Sequence, residues 1–187
     1  MHRNKYVGII EQIRKKDPSF LNKSLETRER GIQSMAKLKK GDMAPQFLLP
    51  NQEGKPVKLV DFTGKRILLY FYPKAGTSGC TKQTEAVRNA LAKMQALGMV
   101  GLGISPDTVA AQKKFSDKLA LKFPILSDND HSVAEAYGVW GEKSLYGKKY
   151  FGVTRSSFLI DENGRILEAW YKISPADTVP KALAVFQ

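Results

Sequence analysis

Cys80 is the only cysteine among 187 residues. It closes the octet Pro73-Lys74-Ala75-Gly76-Thr77-Ser78-Gly79-Cys80, between an apolar run, Ile67 to Tyr72, and a helical pattern, Thr81 to Leu97. The spacing therefore predicts a thiol where a strand turns into a helix. A helix start offers free backbone N–H groups and the positive end of the peptide dipoles. Both favour thiolate over thiol, and the thiolate is the nucleophile. A lone cysteine can equally be an inert, small core residue, so its neighbours decide. Attack on an O–O bond requires an ionised sulfur and a donor that holds the peroxide and receives charge on the departing oxygen. Thr77 brings a hydroxyl that both donates and accepts. Pro73 fixes the chain direction and presents an apolar wall without an N–H. Gly76 and Gly79 permit close approach of backbone to a ligand.

A permanent positive charge is missing from the octet's own helix start. Arg155 immediately precedes the strand pattern Ser156 to Ile160, which brings it to the same end of a sheet as Cys80. Its guanidinium stays charged and carries several donors. Arg88, two helical turns past Cys80, is the rival, placed either to assist or to form a salt bridge. Lys74 is close, but a mobile ammonium is a poorer fixed donor. A cysteine hydrolase would need a histidine base. The chain has only His2 and His131, and His131, in Asp128-Asn129-Asp130-His131, reads as a surface helix cap. Asp128 and Asp130 lack the further ligands of a calcium loop and also read as a cap. Gly101-Leu102-Gly103 lacks the third glycine of a dinucleotide fingerprint and reads as buried strand. Trp140 and Tyr146, in the loop before Arg155, either rim a substrate site or cover the core edge.

The elements that must position these residues follow from the pattern. Phe47 to Pro50 and Val57 to Leu59 flank a glycine turn and predict a hairpin. Ile67 to Tyr72 and Met99 to Ile104 are continuously apolar, as central strands covered on both faces are. Val87, Ala90, Leu91, Met94 and Leu97 give the intervening helix its apolar stripe. Ser105-Pro106-Asp107 opens a further helix, Phe123 to Leu126 is a short strand, and Ser127-Asp128 caps a helix from Ser132 to Tyr137. Ser157 to Ile160 and Ile166 to Tyr171 flank Asp161-Glu162-Asn163-Gly164 as a hairpin, and Val179, Leu183 and Phe186 mark a terminal helix. The order predicts an α/β domain: a central mixed β-sheet flanked by helices, compatible with a thioredoxin-like fold.

The chain's bulk properties narrow its surroundings. The hydrophobic share, 42%, supports a core, and no stretch approaches the ~20 apolar residues of a membrane span. Seven of the twelve net positive charges fall in residues 1–40, where eleven Lys/Arg face four Asp/Glu. With only Tyr6 and Phe20 among them, this leader does not carry the basic and aromatic interleaving of a nucleic-acid surface. Residues 1–36 are expected as a basic N-terminal extension, partly helical or disordered, and 37–187 as the domain. Met35 offers an alternative translation start, and the basic arm could instead dock an acidic partner or a membrane surface. One cysteine excludes an intrachain disulfide and fits a reducing compartment, so the expected location is cytoplasmic.

Pro73, Thr77 and Cys80 match the Pro-x-x-x-Thr-x-x-Cys signature of peroxiredoxins. Gly79-Cys80-Thr81-Lys82-Gln83, Gly103 to Asp107, Phe123 to Asp128, Tyr137 to Lys143 and Arg155 to Asp161 resemble the bacterioferritin-comigratory, or Q-type, subfamily. The resemblance runs from about Lys37 to Gln187 and implies a thioredoxin fold and thiol-dependent reduction of hydrogen peroxide and organic hydroperoxides. Carried over, Cys80 is the peroxidatic cysteine, Thr77 and Arg155 hold peroxide and thiolate, and Pro73 shields the sulfur, with Arg88 and Gly79 as possible support. The resemblance implies no metal, haem or flavin. Many of its members carry a resolving cysteine five residues after the peroxidatic one, where Glu85 stands, or on the helix holding Phe115-Ser116-Asp117. Neither place has sulfur here. The expected cycle thus uses one cysteine and an external thiol: thioredoxin, glutaredoxin, glutathione or a partner protein. The expected oligomeric state is monomer or weak homodimer. The competing expectation is a non-enzymatic redox sensor or interaction module of the same fold.

Overall fold

A computed structural model describes residues 37–145 and 147–186. The leader and Tyr146 lie outside the described residues. Strand β1 (Leu48–Pro50) pairs antiparallel with β2 (Pro56–Lys58), followed by a 3-10 turn, Leu59–Phe62. Then come β3 (Arg66–Phe71), α1 (Ser78–Asn89), α2 (Leu91–Ala96), β4 (Met99–Ser105), α3 (Val109–Leu119), β5 (Ile125–Ser127) and α4 (Ser132–Ala136). Strands β6 (Trp140–Leu145), β7 (Lys148–Val153), β8 (Ser156–Ile160) and β9 (Ile166–Tyr171) lead to a 3-10 turn, Pro175–Asp177, and α5 (Thr178–Ala184).

The central sheet runs β5-β4-β3-β8-β9, parallel from β5 to β3 and antiparallel from β3 to β9. This is the mixed sheet expected from the element order. Strand β3 sits in the middle, and its pleat sends alternate residues to two different cores. Ile67, Leu69 and Phe71 join Leu102, Ile104, Phe158 and the α4 residues Val133 and Ala134 on one face. Leu68, Tyr70 and Tyr72 join Leu159, Cys80, Val87, Phe115 and the α5 residues Val179, Ala182 and Leu183 on the other. Both sets are almost solvent-free, which is why the strand reads as an unbroken apolar run.

Close packing uses two glycines of β4. An added Cβ at Gly103 would lie 2.8 Å from the Tyr70 ring and hydroxyl and 3.0 Å from Ile125 Cγ2. Tyr70 is fully buried and its hydroxyl donates to Thr84, so the ring has little room to retreat. Gly103→Ala is expected to lower unfolding free energy by roughly 1–3 kcal/mol, the usual effect of overpacking. Urea unfolding of the two proteins measures it.

The structure changes three expectations. The helix after the octet starts at Ser78 and breaks at Ala90 (φ −91°, ψ 0°), giving two segments in place of one. Alanine is a good helix former, so nothing in the sequence marks that break. The stretch before Arg155 is not a loop but the β6–β7 hairpin, turning at Gly147 with φ +77°. Lys148, Lys149, Tyr150 and Phe151 are all exposed, so the strand has no apolar alternation to betray it. The helix after β4 starts at Val109 behind Thr108, whose hydroxyl accepts from Ala111 N. Asp107 is committed elsewhere.

Candidate active site

Cys80 lies in the first turn of α1, behind the extended residue Thr77, and is fully buried. Among the described residues, no side chain caps this helix, so its first-turn amides remain available to a ligand. The register brings Arg155 to the same place: Phe71, the last residue of β3, pairs with Ser156, the first of β8. The guanidinium Nη2 lies 3.3 Å from Cys80 Sγ and donates to it. Nη1 donates to Gln83 Oε1. Gln83, three residues beyond Cys80 on the same helix face, is fully buried, and its Nε2 donates to Thr178 Oγ1 at 2.9 Å. The sulfur is thus the first member of a line that runs through Arg155 and Gln83 to the C-terminal helix.

Gly79 makes room for that line. A Cβ there would lie 3.2 Å from Arg155 Nη2 and 3.6 Å from Pro175 Cγ. Its φ is not in the left-handed region, so the glycine serves the approach of the guanidinium and not a turn. Gly76 has φ +78° and no neighbour within 4 Å of such a Cβ, so it serves the turn.

The octet's loop is tied down from β4. Asp107 Oδ2 accepts from Ala75 N and from Ser105 Oγ, each at 2.7 Å. Thr77 is exposed and its Oγ1 donates to Lys74 O at 3.0 Å, a bond that uses the hydroxyl proton and not the oxygen's lone pairs. Pro73 is half-buried at the exit of β3. Beneath the site, Tyr70 and Tyr72 stay neutral. Burial pushes both phenols up, with the nearby Cys80 adding to the effect at Tyr70 and Tyr70 adding to it at Tyr72. Tyr72 donates to Gln112, whose Nε2 donates to Ser105 Oγ and to Leu126 O.

Arg88 stands apart from this cluster. Its Nη1 donates to Leu119 O at 3.0 Å and its Nε to Asn89 Oδ1, so it closes the C-terminal end of α3 and, among the described residues, makes no salt bridge. Eight residues along a helix carry it two turns from Cys80. His131 stands at the N-cap position of α4, but its side chain makes no cap hydrogen bond. The Asp128 carboxylate takes that part, accepting from Val133 N (3.1 Å) and Ala134 N (2.8 Å). Burial nonetheless pushes the Asp128 carboxyl above its ordinary range. Asp130 accepts from the amide and hydroxyl of Ser132, so both carboxylates are occupied by turn and helix start. The His131 ring stacks on Trp140 at 3.8 Å between centroids, and Trp140 packs on the core layer opposite Cys80. It covers an edge of that core.

Sequence reasoning brought Cys80, Arg155, Pro73 and Thr77 to one end of the sheet. It missed the roles of Asp107 and Gln83 and all of Thr178. The i, i+3 spacing from Cys80 was a signal for Gln83. Thr178, ninety-five residues further on, had none.

Known proteins share this arrangement of chain. The model of the AhpC/TSA family matches residues 40–169. Peroxiredoxin Bcp of Escherichia coli is 51% identical over 132 residues, which are 71% of this chain and 85% of that protein. The structure of the peroxidoxin BcpB from Mycobacterium tuberculosis superposes with a TM-score of 0.71 at 34% identity, covering 79% of this chain and 95% of that one. The bacterioferritin comigratory protein of Xanthomonas campestris, for which alkyl peroxide reduction is described, gives a TM-score of 0.70 at 33% identity over 74% of this chain and 88% of that one. With the mixed sheet, the octet and the single cysteine in agreement, the chain belongs to the AhpC/TSA family as a peroxiredoxin of the bacterioferritin-comigratory type, a thiol-dependent peroxidase.

Proposed function

We propose that Cys80 is the peroxidatic nucleophile of a one-cysteine cycle that reduces hydrogen peroxide and organic hydroperoxides. The observation that carries this is the 3.3 Å contact between Arg155 Nη2 and Cys80 Sγ. A fixed cation on the sulfur stabilises negative charge there and on the oxygen that departs. The sulfur attacks one peroxide oxygen, the O–O bond breaks, and the other oxygen leaves with a proton as water or alcohol. Cys80 becomes a sulfenic acid. Thr77's lone pairs and the free amides of α1's first turn hold the peroxide, and Pro73 walls the sulfur.

With no second cysteine in the sequence, the sulfenic acid is resolved from outside. A thiol attacks the sulfur and expels water, and a second thiol releases Cys80 as the reduced form while the two external sulfurs join. Thioredoxin, glutaredoxin and glutathione have the needed chemistry. Because Cys80 is fully buried, a protein thiol reaches it only if the first turn of α1 opens. Without a reductant, excess peroxide carries the sulfenic acid on to sulfinic acid. We place the reaction in the cytoplasm, on a monomer or weak homodimer, with the domain at 37–187 and residues 1–36 as a separate basic extension. Among the described residues, no helix is long and apolar enough to cross a membrane.

Steady-state peroxide consumption tests the cycle with glutathione plus glutaredoxin, and separately with thioredoxin plus its reductase. Many turnovers with at least one system are expected. Consumption limited to one peroxide per chain with every reductant would instead mark a sensor.

A further inference from the structure

Thr178 has no place in the reaction as described, yet its hydroxyl is buried in the same line of contacts as the sulfur. It stands at the first position of α5, fully buried. Its Oγ1 lies 3.5 Å from Ser174 O, which can only accept, so the hydroxyl proton points that way. The oxygen is left as an acceptor, and Gln83 Nε2 donates to it at 2.9 Å. That choice fixes which end of the Gln83 amide faces Thr178. The carbonyl end, Oε1, must then face Arg155, whose guanidinium can only donate. Reversing the amide would set its NH2 against the guanidinium N–H groups and leave two donors opposed in a buried site.

We propose that Thr178 is a positioning residue for the reaction: through Gln83 it selects the amide orientation that holds Arg155 Nη2 on the Cys80 sulfur. This rests on the assignment of Cys80 and Arg155 above. It also ties the C-terminal helix, remote in sequence, to the rate of the first chemical step. The turn that Ser174 and Pro175 begin thereby acts on the sulfur from the far side of Gln83.

The test is a double-mutant cycle on the full chain, reading the second-order rate of peroxide reduction under single-turnover conditions. Thr178→Val keeps the shape and removes the acceptor. It is expected to lower that rate about tenfold, as a buried donor left without a partner does. Thr178→Ser keeps the hydroxyl and is expected to restore the rate to within about twofold of the parent, the difference being one methyl group. In an Arg155→Met background, Thr178→Val is expected to change nothing further, because the group it positions is gone. Equal losses from Thr178→Val with and without Arg155 would overturn the proposal, and so would a loss that Thr178→Ser fails to restore. Full activity of Thr178→Val overturns it too. The underlying assignment fails by a different sign: an Arg155→Met single variant as fast as the parent. Thermal unfolding of Thr178→Val is read alongside. A variant that melts early but retains the parent rate while folded shows a purely structural threonine and also overturns it.

Discussion

Cys80→Ser is expected to abolish peroxide consumption, lowering it by at least about a thousandfold, or about 4 kcal/mol of barrier, to the level of reductant and buffer alone. Serine fits the site: it is slightly smaller, and Arg155 Nη2 can donate to its oxygen as it does to the sulfur. The fold should therefore persist, with cooperative unfolding close to that of the parent. What disappears is the polarisable sulfur nucleophile. No other residue can substitute, because the sequence holds no second thiol. The rate of peroxide loss in the presence of each reductant, with unfolding monitored on the same samples, separates lost chemistry from lost structure. A Cys80→Ser protein that still turns over peroxide would move the nucleophile elsewhere.

Arg155→Met is expected to slow the peroxide step by roughly a hundred- to a thousandfold, the range for removing one fixed donor from a site where negative charge develops. The methionine chain keeps much of the arginine's apolar length, so the damage is electrostatic. It also strands Gln83 Oε1 in a buried position, which should cost stability of about 1–3 kcal/mol. Arg155→Lys discriminates charge from geometry. An ammonium carries the charge but not the planar fork that reaches Sγ and Oε1 together. Partial recovery is the expected outcome, well short of the parent. Pre-steady-state kinetics with hydrogen peroxide give the rate directly. Full recovery with lysine would show that charge alone suffices.

The central strands were legible because a strand covered on both faces must be apolar throughout, and Ile67 to Tyr72 is. The meeting of Cys80 and Arg155 was legible because each lies at a strand end whose direction the βα and hairpin patterns set. The β6–β7 hairpin was not, since a ribbon exposed on both sides carries no burial signal in Lys148 to Phe151. Asp107 read as a helix start, because carboxylates commonly stand there. Only the fold shows that its oxygen is taken by Ala75 N. The same holds for Arg88: helical spacing left it near Cys80, and only the packing of α3 shows that Leu119 O claims it. Long-range hydrogen bonds such as Gln83–Thr178 depend on where two helices meet, and local pattern does not encode that.

Intact-mass spectrometry after one equivalent of hydrogen peroxide, with a sulfenate-trapping nucleophile present, asks most directly whether one buried sulfur performs the whole reaction. The expected spectrum shows a single trapped adduct per chain, mapped by peptide fragmentation to Cys80 and absent from Cys80→Ser. When a small thiol replaces the trap, the adduct becomes a mixed disulfide at the same residue. A chain that consumes the peroxide while its Cys80 remains an unmodified thiol would contradict the assignment.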